Sequence, residues 1–74
     1  MTDKKNNFKR IAENRTNKII SMIKLLGNCS NKSNYSYTDE EVKKIFSAIE
    51  NELKNSKLKF TEASNKKKEF SLRG

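Results

Sequence analysis

Histidine, proline and tryptophan are absent from the 74 residues, and cysteine occurs once. Each gap removes a class of chemistry. With no His and only Cys29, the usual Cys/His zinc site is excluded, and so are Ser–His and Cys–His nucleophile pairs. One cysteine closes no internal disulfide, so a reducing cytoplasm is the expected setting. No apolar run exceeds two residues, too short for a membrane span or for the apolar stretch of a signal peptide. Thr2 follows Met1, where N-myristoylation requires glycine. Leu, Ile, Val and Phe number only 16. That is about 22% of the chain, just above the ~20% level below which highly charged chains stay disordered. One small domain is the ceiling, and its core seldom supplies more than ~3–5 kcal/mol unaided. A macromolecular partner is expected; a cofactor, a metal, a small-molecule substrate and catalytic residues are not.

What the chain has in quantity is positive charge. Lys and Arg total 17 against 9 Asp and Glu, a formal net charge of +8. The excess is uneven. Residues 1–37 hold eight basic and two acidic side chains, residues 38–60 five of each, and residues 61–74 four and two. Such a field suits phosphate backbones or an acidic protein face. The same charge also keeps a Lys-rich domain dissolved, and Lys and Asn rise together here as they do in AT-rich genomes.

Two helices account for nearly all the apolar residues. Phe8, Ile11, Ala12, Ile19, Met22, Ile23 and Leu26 fall within a stripe about 120° wide at 100° per residue. Gly27 is expected to close this helix in a left-handed conformation, giving a span from about residue 6 to 26. A second helix starts at Thr38-Asp39-Glu40-Glu41. The Thr38 hydroxyl and the Glu41 carboxylate fit a reciprocal capping box, with Tyr37 and Val42 as its hydrophobic staple. Val42, Ile45, Phe46, Ile49, Leu53 and Phe60 carry the helical rhythm to about residue 58–62. Asp39–Lys43, Glu40–Lys44 and Glu50–Lys54 are favourable pairs on the solvated faces.

The expected fold is all-α, an antiparallel two-helix hairpin with a long connecting loop and a basic C-terminal tail. Its divisions are a flexible basic arm over 1–5, the helical hairpin over 6–60 and the tail over 61–74. A dimer or a larger protein would complete the core.

Some residues fit such a hairpin poorly. Arg15 lies in the middle of the first apolar stripe. It either snorkels or pairs with Glu50 or Glu52, or it reaches a partner. Ile20 and Leu25 point off that stripe on its two sides, and Leu58 lies nearly opposite the second one. Tyr37 serves the staple, whereas Tyr35 is free to anchor an interface or to stack on a base. Asn28, Asn31 and Asn34 are turn formers. Cys29 is expected to be small and half-buried. Arg15, Ile20, Leu25, Tyr35, Tyr37 and Leu58 are thus the candidate partner-binding residues. Base-specific reading by this chain alone is not expected, because the second helix opens with acids and only three Arg occur. Lys contacts to phosphate would position rather than specify. Lys9, Arg10, Lys66, Lys67 and Lys68 are the candidates for lying close to nucleic acid.

Four strings of the sequence carry a family resemblance. They are Phe8-Lys9-Arg10-Ile11-Ala12-Glu13 with Arg15 and Lys18, then Leu25-Leu26-Gly27-Asn28-Cys29-Ser30-Asn31. Tyr35-Ser36-Tyr37-Thr38 and Lys44-Ile45-Phe46-Ser47-Ala48-Ile49-Glu50 complete the set. Over residues 8–60 the chain resembles very small proteins of prophages and other mobile elements of low-GC Gram-positive bacteria. Some of these are recombination directionality factors, which bind a large serine integrase and turn it from integration to excision. The resemblance implies a non-catalytic, cytoplasmic adaptor, since the nucleophilic serine belongs to the integrase. It also implies contact with the integrase, through its coiled-coil region, by Ile20, Leu25, Tyr35 and Leu58, with Lys66 to Lys68 in support. Two alternatives stand beside it: a small homodimeric DNA-binding regulator, and a phage-encoded inhibitor of a host nucleic-acid enzyme.

Overall fold

A computed structural model of the chain describes residues 2–67, with side chains over 3–64. The described residues are all-α: helix α1 is Thr2–Asn28 and helix α2 is Asp39–Lys67. The chain divides into two units between Ser36 and Tyr37. The first holds α1 and the turns that follow it; the second holds α2 and its cap.

Helix α1 has 27 residues, a rod about 40 Å long at ~1.5 Å per residue. It begins four residues earlier than the apolar rhythm implies, so Lys4 and Lys5 belong to the helix rather than to an arm. Asp3 in the first turn opposes the positive end of the helix dipole, and no Pro or Gly interrupts the polar turn that leads to Phe8. Solvated Lys and Asn side chains add helical length there without adding any apolar signal.

The C-terminus of α1 corrects the expectation for Gly27. Gly27 lies inside α1, its backbone is not left-handed, and the helix runs on to Asn28. The termination is instead a tightening of the turn. Cys29 N–H donates to the Leu26 carbonyl at 3.0 Å, Ser30 N–H to Gly27 at 3.1 Å and Asn31 N–H to Asn28 at 3.4 Å. These three-residue steps occupy carbonyls that the helix itself leaves open. Asn31 then reverses the chain twice over. Its carbonyl accepts from Asn34 at 3.1 Å and Tyr35 at 3.0 Å, and its Oδ1 accepts from the Ser33 N–H at 2.9 Å. That side-chain turn is the chemistry expected of Asn in this loop.

A helical Gly27 has a measurable consequence. A Cβ added there would meet nothing within 4 Å, so Gly27→Ala brings only the loss of glycine's unfolded-state freedom. We expect α1 to gain roughly 0.5–1 kcal/mol, read as a rise in far-UV ellipticity. A drop would place residue 27 outside the helix.

Helix α2 has 29 residues and opens with Asp39, Glu40 and Glu41 in its first turn. The capping box is fully formed. Glu41 N–H donates to Thr38 Oγ1 at 3.1 Å, and Thr38 N–H donates to Glu41 Oε1 at 2.8 Å. Val42 N–H closes the first helical bond onto the Thr38 carbonyl at 3.1 Å. Tyr37 and Val42, the staple pair, are both half-buried while most of their neighbours are exposed. At the other end α2 outlasts the expected limit of 58–62, and the first half of the basic tail is helix through Lys67. Thr61 Oγ1 donates to the Lys57 carbonyl at 3.2 Å across that turn, and the sequence there holds no Pro or Gly. Lys68, the last of the lysine run, lies outside the described residues.

Among the described residues none is buried. Most of the larger apolar side chains of both stripes are exposed, from Ile11 at 39% to Phe60 at 66%, while Leu26, Val42 and Ile49 are half-buried. Cys29, expected to be half-buried, is exposed as well; its thiol points back along α1, donating weakly to the Leu25 carbonyl at 3.9 Å.

Candidate functional site

Each unit presents its candidate residues on a single helix and the turn beside it, so helix geometry fixes their directions. On α1, Ile20 and Leu25 stand five positions apart, about 140° around the axis. Both are exposed, at 47% and 58%. They flank the apolar stripe on opposite sides and form no common patch with each other. Arg15 sits inside the stripe, in register with Phe8 and Leu26, and is exposed. A cation there divides the stripe into a short segment around Ile11 and a longer one from Ile19 to Leu26. Among the described side chains of α1, Ala12 and Leu26 are the half-buried ones.

The charge of α1 encircles the helix. Lys4, Lys18 and Arg15 lie on or beside the apolar stripe, while Lys9, Lys24 and Arg10 span the arc opposite it, at about 100° to 200° from Phe8. Arg10 is partly committed already: its guanidinium donates to Asn7 Oδ1 at 3.3 Å, one turn back. Tyr35 is 52% exposed and closes the α1 unit. Its N–H is bonded to Asn31, so the turn sets where its ring starts. The ring is thus displayed by a hydrogen-bonded turn that Asn31 holds at three points.

A shallow depression on α1 is lined by Asn17, Lys18, Ser21 and Met22. All four come from two adjacent turns of one helix, which cannot enclose a ligand. Among the described residues no group of three or more His, Cys, Asp or Glu is placed to hold a metal. No described helix is long and apolar enough to cross a membrane.

On the α2 unit, Tyr37 packs at the cap as the staple residue, half-buried, which leaves it less to offer a partner than Tyr35. Leu58 is 46% exposed and lies about 160° around the axis from Val42, away from the apolar stripe. Lys66 and Lys67 continue the helix on its final turn.

One feature of α2 escapes a reading by helical stripe alone. Four of its apolar residues, Val42, Phe46, Ile49 and Leu53, step by four, three and four, with Ile45 beside that line. A four–three step is the spacing with which helices pair along a seam, and it parts from the 3.6-residue rhythm by only about 20° per heptad. It was available in the spacing of Val42, Phe46, Ile49 and Leu53.

Among the described residues the site is therefore an array of exposed apolar and basic side chains on regular helices. No family model, no curated protein and no solved structure matches the chain.

Proposed function

We propose that the chain is a non-catalytic accessory factor that binds a protein partner beside DNA. In its specific form the partner is a large serine integrase of the same mobile element, which the chain turns from integration to excision in the cytoplasm. The observation that carries the binding role is α1: it exposes an apolar stripe and two further apolar residues on a helix holding seven basic and two acidic side chains. Exposed apolar area of this kind is stabilised by covering it with another macromolecule. The surrounding cations suit a partner that is itself seated on phosphate. The integrase rests on the resemblance over residues 8–60.

An excision reaction on paired attachment sites, run with and without the chain, tests the specific form. Excision should depend on the chain, and equal excision in both arms removes the integrase reading. Replacing Ile20, Leu25, Tyr35 and Leu58 together by Ala should weaken integrase binding by roughly 100-fold or more, since fully covering each such side chain contributes on the order of 1 kcal/mol or more. Unchanged binding in a pull-down titration would remove these four residues from the contact.

A further inference from the structure

Helix α2 carries the spacing of a coiled-coil seam. Val42, Phe46, Ile49, Leu53, Ser56 and Phe60 follow at steps of four, three, four, three and four, and Ala63 continues the series. On one unbroken helix such residues form a line that meets another helix along its length. The line is exposed at Phe46 (42%) and Leu53 (55%).

We propose that this seam is covered by the same seam of a second copy of the chain, running antiparallel. Charge is the first argument. The start of α2 holds Asp39, Glu40 and Glu41. A parallel pair sets these acids beside their own copies, while an antiparallel pair separates them and opposes the two helix dipoles.

The flanking positions choose the same arrangement. With Leu53 opposite Ser56 of the second copy, Glu50 faces Lys57 and Glu52 faces Lys59. Two-fold symmetry repeats both, giving four opposite-charge pairs. A parallel pairing of the same seam joins only Glu52 with Lys57. Size is the third argument. The antiparallel register sets Phe46 against Ala63, Leu53 against Ser56 and Ile49 against Phe60, so no aromatic ring meets its own copy. Parallel strands would stack Phe46 on itself and leave Ser56 facing Ser56. Helix α1 is a poor homotypic partner by comparison, because seven basic residues against two acidic ones repel their own copies. Pairing of α2 with its own copy requires neither DNA nor an integrase.

Sedimentation equilibrium of the full chain over a concentration series is the test. The mass should rise to twice the 8.6 kDa of one chain. Glu50→Lys with Glu52→Lys should weaken the dimer by roughly tenfold or more, and so should Lys57→Glu with Lys59→Glu, while an equimolar mixture of the two variants restores it. Direction is read by oxidation in a Cys29→Ser background. Phe46→Cys should cross-link to Ala63→Cys in a mixture and not to itself. Far-UV circular dichroism of each variant separates loss of helix from loss of pairing; where helix is lost, the cross-link decides. A monomer at every concentration, charge variants that dimerise like the parent, or self-linking of Phe46→Cys each overturn the proposal.

Discussion

Thr38→Ala is expected to cost α2 about 0.5–1 kcal/mol and to unravel its first turn. Thr38 fills the N-cap: its carbonyl takes the first helical bond from Val42 and its hydroxyl accepts from Glu41 N–H at 3.1 Å. Alanine leaves that N–H to water, and caps of this type are worth ~0.5–2 kcal/mol. The lower half of the range is expected here because no described residue is buried, so water takes up the freed N–H as it does in an isolated helix. The two halves of the box separate by substitution. Glu41→Gln keeps an oxygen for the Thr38 N–H, now 2.8 Å from Oε1, and loses only the charge beside the helix N-terminus, ~0.3–1 kcal/mol. Thr38→Ser keeps the acceptor and should restore most of the loss. Amide exchange over residues 39–42 reads the effect directly. Protection in Thr38→Ala equal to that of the parent would show that the box is idle in solution.

The capping box was legible in the sequence because it is local: four consecutive residues contain both donors and both acceptors. Helix type was legible for a similar reason, since the apolar spacing from Phe8 to Leu26 and from Val42 to Phe60 belongs to one period. The ends were harder. Glycine near a helix terminus serves either as the last turn or as the residue beyond it, and at Gly27 the choice falls to the turns that follow, through Cys29, Ser30 and Asn31. Past Phe60 the apolar pattern fades while the polar residues still favour helix, so a pattern-based limit falls short of Lys67. The candidate surface divides the same way. That Ile20, Leu25 and Leu58 point off the stripes follows from helix arithmetic. What they meet does not, because the groups that would cover them belong to another molecule. The finer four–three step of α2 was present in the spacing but merged with the broader stripe, since three or four turns of 3.5 and 3.6 periodicity differ by only about 20° per heptad.

Beside DNA, the charge of α1 makes a quantitative demand. Under the proposed role, its lysines and arginines meet phosphate as point charges, and each neutralised phosphate releases counterion. With about four contacts the affinity for duplex DNA falls with a log–log salt slope near −3.6, so a fourfold rise in salt weakens binding by roughly 10²-fold. Lys9 and Arg10 share the arc of α1 opposite its apolar stripe, so Lys9→Ala with Arg10→Ala should flatten the slope by about 1.8 if each meets one phosphate. Arg10 is already bonded to Asn7, and the share lost through Arg10→Ala alone should be the smaller of the two. Because these contacts carry no base information, duplexes of unrelated sequence should bind alike. Fluorescence anisotropy across a salt series distinguishes the outcomes. A slope indifferent to both substitutions would move the DNA contact off this arc of α1. A strong preference for one duplex would favour a sequence-reading regulator over a factor that borrows its address from a partner.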